Sequence, residues 1–172
     1  KEHKPKILIL ENVKNLISHD NGKTIRIIKK TLENLDYKVY CKILNTSNFG
    51  LPQSRKRIYF VCFKKDIINR KFHFPTGKNN KTHLSDFLEK NPKRIKEIKR
   101  KDITFKKKIN LSKHNNRTIR IATVGKGGQG ERIYDPSGHA ITLSAYGGGI
   151  GSKTGLYKID GIIRKLTPRE CA

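Results

Sequence analysis

The chain contains no methionine and no tryptophan, begins at Lys1 and stops at Glu170-Cys171-Ala172, where a helix is about to open. Those lacks lead us to expect a piece of a longer protein. Cysteine is scarce too. Cys41, Cys62 and Cys171 are odd in number and far apart, which argues against a disulfide framework and for buried free thiols in a reducing cytosol. No apolar run approaches the roughly 18 residues of a membrane span, and no basic-then-apolar leader opens the chain. We therefore expect no membrane segment and a soluble, cytoplasmic protein. Acidic residues are few as well: 14 Asp and Glu stand against 39 Lys and Arg, a formal charge of +25. Such an excess fits a polyanion partner. It selects none, because runs such as Lys78-Asn79-Asn80-Lys81 also arise from AT-rich coding.

At 172 residues the chain is long enough to bury a core, as one domain or one with a small addition. Ile7 to Leu10 is a short apolar run after Pro5, expected to be a strand buried on both faces. Glu11-Asn12-Val13 follows at its end, where a carboxylate is a candidate for chemistry in an open α/β sheet; a capping or solvated Glu is the alternative. From Thr24 to Leu35, Ile25, Ile28, Leu32 and Leu35 recur at helical spacing. Tyr37 to Leu44 alternates as a strand.

The stretch Asn45 to Phe63 combines a loop carrying Gly50 and Pro52, the polar triplet Gln53, Arg55 and Arg57, and a third strand. That strand would carry Ile58, Phe60 and Cys62 on one face. Two guanidinium forks at the edge of a loop suit a phosphate or a base oxygen. An edge strand with solvated arginines accounts for the same pattern.

After Phe72-His73-Phe74-Pro75 the composition shifts, and a boundary is expected near His83. Leu84 to Leu88 reads as a helical turn. Asn91 to Lys108, rich in Lys and Arg, reads at least as well as a solvated surface helix or linker as it does as a DNA contact. Ile119, Ile121 and Thr123 alternate as a strand, Ala140 to Ala145 as another, and two glycine clusters, Gly125 to Gly130 and Gly147 to Gly151, lie around them. Gly125-Lys126-Gly127-Gly128-Gln129-Gly130 matches the G-x-G-x-x-G dinucleotide pattern formally. The fingerprint needs a helix at its third glycine, whereas Glu131 to Tyr134 reads as a short strand and Asp135 to Gly138 as a turn, so that reading is rejected. Glycine loops bearing Gln129, Arg132 and Tyr146 can instead approach a nucleic-acid groove closely.

Glu11-Asn12-Val13, Phe49-Gly50-Leu51-Pro52-Gln53-Ser54-Arg55-Lys56-Arg57 and Arg164-Lys165-Leu166-Thr167-Pro168-Arg169-Glu170, in this order, resemble three blocks of the DNA cytosine-5 methyltransferases. Val124 to Tyr134 and Ala140 to Ile150 resemble the recognition region of a member whose site is GCGC. The resemblance covers essentially the whole chain. It implies an α/β fold: a partial Rossmann-like methyltransferase sheet over 1–83, a small β-rich target-recognition domain over 84–165, and a return to the catalytic domain over 166–172.

It further implies methyl transfer from S-adenosylmethionine to C5 of a cytosine flipped out of double-stranded DNA, by an enzyme acting as a monomer in the bacterial cytoplasm and belonging to a restriction-modification system. Glu11 matches the carboxyl that bonds the base at N3 and its amine, and burial would help it hold a proton. Arg57 matches the arginine at the cytosine O2, Arg55 its neighbour, and Gln53 a loop-fixing residue. Gln129 matches the side chain that fills the space left by the flipped base, and Arg132 a guanine reader. Thr142, Tyr146 and Gly149 match DNA contacts of the second loop.

The departures are specific. No Pro-Cys pair occurs, so the nucleophile of the family is absent from this sequence, as are the glycine-containing cofactor block and the final block. Cofactor-binding residues are thus expected outside the chain, no metal site is expected, and the chain alone is expected to transfer no methyl group. The rival expectation is a non-catalytic DNA-binding remnant, or one subunit of a split enzyme whose complementary half supplies the cysteine.

Overall fold

The computed structural model describes residues 3–78, 82–93, 95–109, 117–146 and 148–172. Asn79 to Lys81, within the Lys/Asn run, and Gly147, at the head of the second glycine cluster, lie outside the described residues. The chain divides into two compact units, Lys1–Asn45 with Lys56–Lys78, and Thr46–Arg55 with Asn79–Ala172.

In the first unit, strand β1 (Ile7–Val13), helix α1 (Lys23–Asn34), strand β2 (Tyr37–Asn45) and strand β3 (Lys56–Lys64) follow the expected order. The sheet order is β1-β3-β2 and both pairings are antiparallel. The third strand is therefore central, and the edge-strand alternative for it falls. Period-two alternation along β3 turns Ile58, Phe60 and Cys62 to one face, where they are buried with Leu32 of α1 and Tyr37. Ile25, Ile28 and Leu35 join that core at the helical spacing seen in the sequence. The helix starts cleanly after Asp20, Asn21 and Gly22, all at positive φ, where glycine at the cap costs least.

The expected burial of β1 on both faces is not found. Leu8 packs toward α1, but Ile7 and Val13 are exposed and Ile9 is 70% exposed. An apolar run marks a strand; burial depends on what covers it, and β1 is an edge strand whose second face no helix of this unit covers. On that second face Tyr40 and Phe63 meet Phe72, and Phe72 meets Phe74, at ring separations of 5.0 to 6.2 Å.

The second unit is built on a five-stranded sheet in sequence order: β4 (Ile103–Phe105), β5 (Ile119–Val124), β6 (Arg132–Asp135), β7 (Leu156–Ile159) and β8 (Ile162–Arg164). All pairings are antiparallel except β6 with β7. Three features differ from expectation. First, the basic stretch 91–108 is neither helix nor linker throughout: Ile98 and Ile103 pack on the core of Ile119, Ile121, Val124, Ile133 and Leu156, and the Ile98 N–H donates to Ile163 O at 2.7 Å. Apolar residues between the lysines tie it down. Second, Ala140 to Ala145 forms no strand. Only Ala140 makes a bridge, with Gln53, while Ile141 N–H goes to the Tyr157 hydroxyl and Ser144 N–H to Lys153 O. Third, a bulge between Arg120 and Ala122 breaks the alternation of β5, so that Ile121 and Ala122 are both buried.

The turn at Leu84–Phe87 and the strand-and-turn after Glu131 are as expected, and no α-helix follows Gly130. Helix α2 (Pro168–Cys171) opens at Thr167, whose hydroxyl accepts from Glu170 N–H while the Glu170 carboxylate accepts from Thr167 N–H.

Candidate active site and nucleic-acid interface

Glu11 and Arg57 come together through strand register. In the β1–β3 pair Glu11 lies opposite Tyr59 and Val13 opposite Arg57, so Glu11 and Arg57 are diagonal neighbours on one face, the face away from α1. Arg57 Nε meets Glu11 Oε1 at 2.8 Å, and Arg57 Nη1 donates to Lys56 O at 3.0 Å. The Arg57 side chain is 21% exposed and that of Glu11 44%. The apolar enclosure expected around Glu11 is therefore absent from this unit, because the strand that carries it is itself uncovered. What the geometry offers is an acceptor and a planar donor side by side at a strand end, complementary to the mixed edge of a pyrimidine.

In the second unit, the loop ahead of β3 is pinned by Thr46. Its hydroxyl donates to Gln53 O and accepts from Arg55 N–H at 3.1 Å, and its own N–H donates to Arg55 O. Gln53 Nε2 donates to Ile141 O at 3.3 Å and Ala140 N–H donates to Pro52 O at 2.7 Å, which stitches this loop to the segment 140–141.

The two glycine loops hold the other candidates. Gly125 and Gly127 turn at positive φ, and Glu131 closes the first loop by accepting from Gly128 N–H at 2.8 Å. Gln129 is exposed at its tip. Arg132 is half-buried at the start of β6, with a buried Nε that has no hydrogen-bond partner among the described residues. Gln129, Thr142 and Tyr146 share a concavity of about 280 Å³ with Ser144 and Lys153; Arg132 does not line it. Tyr146 is 100% exposed. Gly149, at positive φ, lies against Gly130.

Two of the three thiols, Cys62 and Cys171, are held in the unreactive thiol form. Burial, then nearby Cys41, pushes the Cys62 thiol up; burial, then Glu170, pushes up that of Cys171. Gly22-Lys23-Thr24 is a Gly-Lys-Thr triplet at a helix start, but a phosphate loop needs a glycine five residues earlier, where Ile17 stands. Nor does this turn fit S-adenosylmethionine. A Cβ at Gly22 would meet Arg26 Nη1 at 3.2 Å and Ile17 O at 3.5 Å, so the chain fills its own turn, and Lys23 and Arg26 would repel a sulfonium. Among the described residues no cluster of three or more His, Cys, Asp or Glu could hold a metal, and no helix is long and apolar enough to cross a membrane.

One pair was visible as a motif but given no role by sequence reasoning. Arg164 and Glu170 bond bidentately at 2.7 and 2.8 Å in the interior of the second unit. The Thr-x-x-Glu spacing is a capping signal that sequence reasoning did not use, and nothing in the sequence signals that its carboxylate also takes a buried arginine.

The chain thus combines an α/β unit carrying the Glu11–Arg57 pair with a β-rich module presenting glycine loops. The fold is that of methyltransferases: the Dnmt2 methyltransferase of S. pombe superposes with a TM-score of 0.56 at 16% identity, over 96% of this chain and 52% of that one. The chain belongs to the C-5 cytosine-specific DNA methylase family, whose model matches residues 1–172. The type II methyltransferase M.HhaI of Haemophilus parahaemolyticus is 47% identical over the whole chain, which spans 53% of that protein. M.SsoII of Shigella sonnei is 38% identical over the whole chain, which spans 44% of it. The chain thus spans about half the length of these curated relatives.

Proposed function

We propose that this chain supplies the base-holding strand pair and the DNA-reading module of a cytosine-5 methyltransferase acting on double-stranded DNA at GCGC, as the modifying member of a restriction-modification system. The juxtaposition of Glu11 and Arg57 carries the reading. Glu11 faces N3 and the exocyclic amine of the flipped cytosine. Arg57 faces O2, where negative charge gathers when a thiolate adds to C6. Arg55 takes the role of the family's neighbouring arginine, holding the active site and the phosphate of the flipped nucleotide. Gln129 fills the gap left in the duplex, Arg132 reads guanine, and Thr142, Tyr146 and Gly149 line the second contact. The methyl donor of this family is S-adenosylmethionine, and its cradle is not formed by the residues described above.

The reading is tested by joining the chain to the terminal segments of a related enzyme and following labelled methyl transfer to GCGC and scrambled duplexes. Labelling of GCGC alone is expected; a folded, DNA-binding chimera that labels neither duplex would refute the enzymatic reading. The unmodified chain, which has no Pro-Cys pair, should label neither. In the chimera, Arg132→Ala should cost about 1–3 kcal/mol of discrimination between GCGC and scrambled DNA. Equal loss of binding to both would remove the guanine-reading role.

A further inference from the structure

The two glycine loops are joined backbone to backbone at Gly130. Gly151 N–H donates to Gly130 O at 2.7 Å. A Cβ at Gly130 would overlap the Gly148 carbonyl oxygen, 3.0 Å from its carbon and 3.2 Å from Gly149 Cα. From the other side, a Cβ at Gly151 would come within 2.8 Å of Gly130 O and 3.1 Å of Leu156 Cγ. These obstacles are backbone atoms and a buried side chain, which cannot swing aside as an exposed side chain can.

The second loop is then tied at further points: Ser152 N–H to Gly149 O at 3.1 Å, Gly155 N–H to Gly151 O at 2.9 Å, Ser144 N–H to Lys153 O at 3.0 Å, and Lys165 Nζ to Ser152 Oγ at 3.3 Å. Gly130 sits directly after Gln129, two residues before Arg132, while its contacts reach the segment just beyond Tyr146. The spacing between the two sets of candidate base-contacting groups is therefore set by a contact that tolerates no side chain.

We propose that Gly130 is a specificity-determining positioning residue: its crossing with Gly149 and Gly151 fixes the two loops in the relative placement that reads a defined sequence. A side chain there leaves DNA binding through the basic surface intact and removes discrimination. The inference rests on the DNA-reading role proposed above. It follows from how the two terms arise, since phosphate contacts supply sequence-independent affinity while base contacts need fixed geometry.

The test uses the full chain and its Gly130→Ala, Gly151→Ala and Gly148→Ala variants. A Cβ at Gly148 meets nothing within 4 Å, so that variant alters the same loop without pushing on the crossing. Binding to GCGC and scrambled duplexes is measured at one salt concentration, with thermal unfolding alongside. Gly130→Ala and Gly151→Ala should lower the GCGC-to-scrambled ratio about tenfold, with scrambled binding retained, and Gly148→Ala should match the parent. An unchanged ratio in both crossing variants overturns the proposal. If Gly130→Ala fails to fold, Gly151→Ala decides.

If the parent itself shows no preference for GCGC, the site assignment fails, and the crossing is judged from hydrogen exchange of the Gly151 amide without DNA. Protection in the parent and Gly148→Ala, lost in Gly130→Ala, supports it; rapid exchange in the parent overturns it.

Discussion

Replacing Arg164 by methionine should destabilise the second unit by about 3–5 kcal/mol, a large part of the roughly 5–15 kcal/mol that holds a typical domain together. The side chains of Arg164 and Glu170 are 2% and 0% exposed, so the remaining carboxylate would be left inside without its cation. Glu170 also accepts from Thr167 N–H at 2.8 Å and Glu89 N–H at 3.1 Å, and Thr167 Oγ1 donates to Glu89 Oε2 at 2.6 Å. Losing the arginine thus strains a network that closes the end of the unit. Removing both charges, as in Arg164→Met with Glu170→Met, should cost less than Arg164→Met alone, because no uncompensated charge remains. Urea unfolding followed by circular dichroism reads both; a single variant within about 1 kcal/mol of the parent would contradict the account.

The pH dependence carries an independent sign. Burial by itself raises the Glu170 carboxyl, but the bonds from Arg164 and from the Thr167 and Glu89 amides outweigh it and hold the group below its ordinary value. A carboxyl lowered by folding contributes stability that is complete above the unfolded value of 4.5 and is lost as the pH falls through the lower folded value. In Arg164→Met the arginine's bonds are lost while burial still raises the carboxyl, so the group rises and the slope becomes shallower. Acidification through the ordinary carboxylate range should then narrow the gap to the parent.

What the sequence disclosed follows from the range over which each signal acts. Helix α1 and strands β2 and β3 were legible because their apolar residues recur at 3.6 or 2 residues, a property of the segment alone. The burial of β1 was not, since Ile7 and Ile9 look the same whether or not another layer covers them. Strands β7 and β8 went unread although Asp160-Gly161, both at positive φ, is a strong hairpin signal; Gly-rich surroundings hid it. Strand β4 has three residues among lysines, too few to show a period. The family blocks pointed to Glu11 and Arg57, but only the antiparallel register shows why residues so far apart in sequence share a face. The Gly130 crossing is a contact between two backbones, and composition reports only that glycines are plentiful there.

In the completed enzyme, Arg57→Ala should lower kcat for methyl transfer by about 10²–10³ while leaving the fold almost untouched. The two halves of that statement rest on different magnitudes. As a stability element, the Glu11–Arg57 pair is a partly exposed ion pair and is worth about 1 kcal/mol at most. In the catalytic role proposed for it, Arg57 would address the cytosine O2, where charge develops only after the thiolate has added at C6. That interaction is stronger in the transition state than with the bound base, so its loss falls on kcat more than on KM. Glu11→Gln keeps the shape and one acceptor but cannot deliver a proton to N3, and should lose about 10²–10⁴ in rate.

If, as proposed, the two groups act on one base, the double variant should lose far less than the product of the single losses. Single-turnover labelling of GCGC duplexes, run beside thermal unfolding, separates the contributions. Should Arg57→Ala raise KM alone, or lower the melting temperature enough to account for the lost rate, the arginine would be a binding or structural residue and the assignment of O2 to it would fail. Arg57→Lys sharpens the test. Lysine keeps the charge but not the planar fork, so rescue by lysine would point to charge alone, whereas failure of rescue would require the guanidinium's directed bonds.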